Sequence, residues 1–175
     1  GSDTITDLGT GSDILVVSSG ATANATNVSS FTASSATRNS GTATINSVAG
    51  GSTVDMSSSG LGGFTLAGNA GIDNLTGGSN NDIITGAGGN DIIIGGAGND
   101  SITGGANNDS LTGSAGNDTF NVDAGTDTIT DLGTDNDVLV VSSGATANAT
   151  NISSFTATSG TSNSGTATLT AASGG

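Results

Sequence analysis

Seven aspartates, Asp73, Asp82, Asp91, Asp100, Asp109, Asp118 and Asp127, recur at every ninth residue without a slip. They mark seven blocks that fill residues 68–130: GNAGIDNLT, GGSNNDIIT, GAGGNDIII, GGAGNDSIT, GGANNDSLT, GSAGNDTFN and a degraded VDAGTDTIT. The eighth position of every block is apolar: Leu75, Ile84, Ile93, Ile102, Leu111, Phe120 and Ile129. A period of nine fits neither a 3.6-residue helix nor a long alternating strand. Helix is further disfavoured because each recurring Gly costs about 1 kcal/mol relative to Ala. A short strand around each apolar residue, closed by a glycine-rich turn, accommodates the whole pattern. If two blocks make one coil, residues eighteen apart stack, and the apolar side chains form two inward columns. One column holds Leu75, Ile93, Leu111 and Ile129; the other holds Ile84, Ile102 and Phe120.

Such stacking has an electrostatic consequence. Coils would sit about 4.8 Å apart, the spacing of paired strands. Two carboxylates at that separation repel by roughly 3 kcal/mol at an effective dielectric near 20. A divalent cation between neighbours reverses the sign. Hard oxygen ligands in flexible geometry favour calcium over magnesium, which keeps its waters and demands a stricter octahedron. The segment is therefore expected to be disordered without calcium and to fold on binding it.

Over residues 67–130 the blocks resemble the nonapeptide G-G-x-G-x-D-x-U-x of the repeats-in-toxin (RTX) family, a calcium-binding parallel β-roll. The resemblance implies an all-β, right-handed β-solenoid with calcium in the turns, held by glycine-loop carbonyls and Asp side chains. Carried onto this chain, the stacked ligand pairs are Asp73/Asp91, Asp82/Asp100, Asp91/Asp109, Asp100/Asp118 and Asp109/Asp127, giving about five shared calcium ions or more. The turn residues implied are Gly77, Gly86, Gly89, Gly95, Gly98, Gly104, Gly113 and Gly116. Turns that aim several carbonyls at one ion need positive φ, which Gly adopts freely. Asn80 and Asn107 replace the fourth-position Gly and are the residue type that tolerates this region next best. Departures at Asn69, Ala87, Ser114, Val122 and Asp123 weaken their local sites in this reading and leave the middle of the ladder most regular.

A second repeat encloses the first. Residues 1–51 align without a gap to residues 125–175 at a constant offset of 124, so that SSGATANATNVSSFTA at 18–33 returns as SSGATANATNISSFTA at 142–157. The organisation expected is a Ser/Thr-rich β module over 1–66, the calcium-binding roll over 67–130 and a truncated second copy of the module over 131–175. Short apolar or β-branched runs such as ILVVSS and GTATINSV read as strands of an all-β unit, further solenoid coils being one arrangement; a flexible Ser/Gly/Thr linker is the alternative. Recurring apolar pairs, Val28/Ile152 and Phe31/Phe155, argue for packing. The segment TDLGTDNDVLVV at 130–141, matched by TDLGTGSDILVV at 6–17, is similar to the acidic strand that closes an RTX block. Asp131, Asp135 and Asp137 could complete a terminal calcium site there, or stand as solvated turn residues.

Composition narrows the function. The formal charge is −14 with Arg38 as the single Lys or Arg, so nucleic acid and anionic membrane surfaces are repelled. The partners expected are calcium, tandem copies and self-association. No apolar run is long enough to span a bilayer. Catalysis is not expected. Every Asp of the block has an equivalent nine residues away, whereas acid–base work needs two carboxylates in distinct environments. No His, Cys or Lys is present to activate a hydroxyl. The opening GSDTITDLG falls in mid-pattern, which suggests a piece of a longer protein. The family resemblance implies a bacterial surface or extracellular location reached by type I secretion. The function expected is a structural calcium module of a secreted or surface-layer-like protein. An adhesin repeat is the alternative, as is an ice-binding surface, for which the Asn file at the fifth position is suggestive but a Thr file beside it is wanting.

Overall fold

The computed structural model describes all residues except 7, 10–12, 134, 153, 156, 158–159 and 173–175, together with the backbone alone of residue 151. Parts of the two acidic segments at 6–17 and 130–141 and the end of the second Ser/Thr-rich copy thus lie outside the described residues. Among the described residues there is no helix; all regular structure is strand.

The first Ser/Thr-rich stretch contributes β1 (Ser2–Ile5), β2 (Val16–Val17), β3 (Thr22–Val28), β4 (Ser30–Thr32), β5 (Arg38–Asn39), β6 (Thr42–Ser47), β7 (Thr53–Asp55) and β8 (Thr65–Ala67). The nonapeptides contribute β9 (Asn74–Thr76), β10 (Ile83–Gly88), β11 (Ile92–Ala97), β12 (Ser101–Ala106), β13 (Ser110–Ala115), β14 (Thr119–Val122) and β15 (Thr126–Ile129). The remainder holds β16 (Val138–Val141), β17 (Thr146–Ile152), β18 (Ser162–Asn163) and β19 (Thr166–Ala171). All pairings are parallel, in one nine-stranded sheet, one eight-stranded sheet and the two-stranded sheet β2–β5. Odd and even nonapeptide strands alternate between the two large sheets. The chain is therefore a parallel β-solenoid in which two blocks close one coil.

The coil length follows the repeat. Ile84 lies opposite Ile102 and Ile102 opposite Phe120, while Leu75, Ile93, Leu111 and Ile129 stack in the other sheet. All seven are at most 1% exposed, so both expected columns form the core. The strands reach this register because each apolar residue has no other face of the pleat on which to hide.

The flanks continue both columns. Ala25, Ile45 and Leu66 lead into Ile84, and Phe31 and Val54 lead into Leu75. Val28 and Phe31 are buried, and Ile152 and Phe155 pack against the core. The Ser/Thr-rich runs are thus solenoid coils where they are described. Their coils are larger: Thr22 stacks on Thr42, Val16 on Arg38 and Ser30 on Thr53, steps of 20, 22 and 23 residues. The extra length makes a third side, on which β2 and β5 pair and Asn39 donates its N–H to the Leu61 carbonyl.

Candidate metal centre

The Asp ladder lies at the corners between the sheets, and every one of its seven members is at most 3% exposed. The backbone stacks each carboxylate against the coil before it. Asp91 Oδ1 accepts the Asp73 N–H at 2.8 Å, Asp100 Oδ1 that of Asp82 at 2.7 Å, and Asp109 Oδ1 that of Asp91 at 2.8 Å. Asp118 and Asp127 do the same for Asp100 and Asp109, at 2.8 and 3.0 Å. All five expected pairs are thereby brought together. The ladder runs further at both ends: Asp82 Oδ1 accepts the Phe64 N–H, and Asp137 Oδ1 accepts that of Asp118 across a step of 19 residues.

The second carboxylate oxygen divides the ladder. In the first two blocks it is satisfied by the turn itself, since Asp73 Oδ2 accepts the Asn69 N–H at 2.9 Å and Asp82 Oδ2 that of Gly78 at 2.6 Å. Asp137 is closed in the same manner by Gly133, and Asp13, its counterpart 124 residues earlier, by Gly9. In the middle this bond is gone. Asp91, Asp100, Asp109 and Asp127 each bury an Oδ2 with no hydrogen-bond partner, and Asp73, at the start of the ladder, buries its Oδ1 without one. A buried carboxylate oxygen without a donor costs several kcal/mol unless something neutralises it.

What surrounds those oxygens makes the need specific. The space that a Cβ on Gly86 would fill is bounded by Asp91 Oδ2 and the Gly104 carbonyl oxygen; above Gly95 it is bounded by Asp100 Oδ2 and the Gly113 carbonyl. Acceptors converge there without a donor. This is why the first-position residues Gly77, Gly86, Gly95, Gly104 and Gly113 are glycine: each would collide with the carboxylate of its own block, and none of them has positive φ. The expectation that positive φ explains the turn glycines holds at the fourth position, for Gly89, Gly98, Asn107 and Gly116. It also applies to the second position, where Gly96, Gly105 and even Ala87 and Ser114 adopt it. Ala87 and Ser114, where the repeat departs from Gly, thus share the positive φ of Gly96 and Gly105.

Asn80 is a correction. It does not take positive φ; its amide donates toward the Gly60 carbonyl and Ser79 Oγ. The reason lies in the coil below, which belongs to the larger flanking type and holds the 77–80 turn in a different path. The Asn file at the fifth position is exposed and links successive coils. Asn81 Oδ1 accepts the Asn99 N–H, Asn99 Oδ1 that of Asn117, and Asn90 Oδ1 that of Asn108, so each amide fastens one coil to the next. Asp131 spends both oxygens on the N–H groups of Gly113 and Ser114, and Asp135 accepts the N–H of Gly116.

Electrostatics agree with geometry. Burial first, then the neighbouring aspartates, pushes the Asp91 carboxyl up to about 6 and that of Asp100 to about 7. Burial likewise raises Asp118 to about 6 and Asp127 to about 7, with other aspartates adding to the shift, and moves Asp82 and Asp109 in the same direction. Among the described residues no three acidic side chains converge on one point, so backbone carbonyls must complete any cation site. Oxygen atoms alone, with no sulfur or imidazole, define a hard donor set of the kind that suits calcium.

The fold and these corners define a parallel β-roll whose turns bury unpartnered carboxylate oxygens. Residues 67–102 and 94–129 match the family model of the RTX calcium-binding nonapeptide repeat. The segment is thus made of RTX calcium-binding repeats, and the chain contains a calcium-binding structural repeat. Neither the curated proteins nor the solved structures include a match to the chain.

Proposed function

We propose that this chain is a calcium-folded structural module of a secreted or cell-surface bacterial protein, built from Ser/Thr-rich coils over 1–66 and 131–175 and a calcium roll over 67–130. The observation that carries the reading is the set of buried, donorless Oδ2 atoms of Asp91, Asp100, Asp109 and Asp127, those of Asp91 and Asp100 standing beside the Gly104 and Gly113 carbonyls. Calcium at the shared corners turns that cost into the energy that orders the coils. The sites between Asp91 and Asp127 come first in affinity, because Asp82 and Asp137 already hold an N–H on each oxygen.

Extracellular calcium near millimolar suits the weak affinities of such modules. Low cytosolic calcium leaves the chain unfolded, which suits export through a type I channel. Tandem copies of the module extend the roll in the parent protein, and its role there is mechanical rather than catalytic. Circular dichroism during a calcium titration at neutral pH, with magnesium as control, tests the proposal. A cooperative gain of β-signal with calcium alone is expected; a full signal in excess chelator, or an equal response to magnesium, would overturn it.

A further inference from the structure

The two copies of the Ser/Thr-rich sequence lie on opposite sheets. β1, β3 and β6 belong to the nine-stranded sheet, whereas their counterparts 124 residues later, β15, β17 and β19, belong to the eight-stranded one. The register shows how this comes about. From Asn24 the stack climbs through Thr44, Thr65, Ile83, Ser101 and Thr119 within one sheet. The chain then crosses nine residues to Thr128 in the other sheet, which stacks on Asn148, the counterpart of Asn24. The offset of 124 is thus six full coils and one half-coil, and the half-coil is a single nonapeptide.

We propose that the nonapeptide segment is a phase device. Each block carries the chain half-way round the roll, so its odd number of blocks, seven, delivers the second Ser/Thr-rich copy to the side opposite the first. The outward row Thr42, Thr44 and Asn46 then faces one way, and its counterpart Thr166, Thr168 and Thr170 faces the other. Adding or removing one block reverses the relative facing of the copies. Adding or removing two restores it at a different axial distance. Parity, rather than length, decides whether a property of the Ser/Thr-rich face is displayed on one side of the rod or on both. This depends on the coil geometry and not on which cation fills the corners, so it can fail while the calcium reading stands.

The chain has no Cys, so spin labels can be placed at Thr42→Cys and Thr166→Cys, both at exposed positions. Distances would be measured by pulsed electron paramagnetic resonance on the full chain in calcium. Three lengths are compared: the natural chain, one lacking residues 95–103, and one lacking residues 95–112. Each block contributes about 2.4 Å along the axis, half of one ~4.8 Å coil step, while the two sheets stand about 10 Å apart before the oppositely directed label arms are added. The one-block deletion should therefore give a shorter label distance than the two-block deletion, although it removes less chain. An insertion that duplicates residues 95–103 should likewise shorten the distance relative to the natural chain, and it decides the matter if the single deletion loses its calcium-dependent β-signal. A distance that falls steadily with blocks removed and rises with blocks added would overturn the proposal.

Discussion

The nonapeptide coils and the Ser/Thr-rich coils stack in the same sheets, yet they close their corners by opposite chemistry. In the first flank two buried groups, Asn39 and Ser52, are neutral and both give and accept. Asn39 Nδ2 donates to the Gly63 carbonyl at 2.6 Å while its Oδ1 accepts the Gly41 N–H at 3.0 Å. Ser52 Oγ donates to the Val28 carbonyl and accepts the Val48 N–H. Such corners complete themselves. An aspartate carboxylate can only accept, so the 18-residue coils satisfy the N–H of the coil before and are left with an oxygen facing carbonyls. The difference teaches that a compact coil gains regularity from a repeated acid at the cost of depending on an outside cation.

The largest expected effect comes from removing the ion and then changing pH. The folded-state carboxyls of Asp91, Asp100, Asp118 and Asp127 lie at about 6 to 7, above the ordinary 3.8. A raised value stabilises the metal-free fold while the group is protonated, fully below about pH 4, and this is lost as pH rises through 6 to 7. In chelator the β-signal should therefore grow as pH falls from 8 to 4, whereas calcium should bind progressively less well below pH 7. A chelated chain whose circular dichroism stays flat over that range would remove the acid-dependent half of the comparison.

Substitution within the ladder comes next. Asp100→Ala strips two shared corners at once and strands the Asp82 N–H. The calcium midpoint should rise about tenfold, equivalent to about 1.4 kcal/mol. Asp100→Asn sharpens this result: its amide can accept from Asp82 and donate toward the Gly113 carbonyl, so it should order better than Asp100→Ala in chelator yet bind calcium no better. Calorimetric titration alongside circular dichroism separates the two effects.

In the flank, Asn39→Ala removes both bonds of a self-sufficient corner. It should cost about 1–3 kcal/mol, seen as a lower melting temperature in saturating calcium with the calcium midpoint unchanged. A shifted midpoint would show that the two kinds of coil do not fold their corners independently. The smallest effect is expected at Asp55→Ala. Its carboxylate lies outside the ladder and accepts an exposed Ser57 N–H, so stability should move by no more than about 0.5 kcal/mol. Equal calcium midpoints for Asp55→Ala and Asp100→Ala would refute the ladder as the binding element.

Much of the roll was legible in the residues because its signal is a distance along the chain. The apolar eighth positions give both core columns, and the nine-residue spacing gives the five carboxylate pairs as the structure forms them. The same reasoning misjudged Asn80 and overlooked positive φ at Ala87 and Ser114, although Gly at 78, 96 and 105 marks the second position as unusual. It did not foresee that the exposed fifth-position Asn side chains accept the N–H of the Asn one coil on. The third side of the flanking coils left no periodic mark, because their steps of 20 to 23 residues vary from sheet to sheet.

By itself the sequence determined the coil length, the buried columns and the stacked acids, since each follows from a repeat that admits a single register once one face must be hidden. Only the tertiary structure decided which carboxylate oxygens are left without a donor and which way the second Ser/Thr-rich copy faces. Both depend on the coil stacked next to a residue, and so on groups eighteen or more residues away whose N–H and carbonyl directions no local stretch of chain can specify.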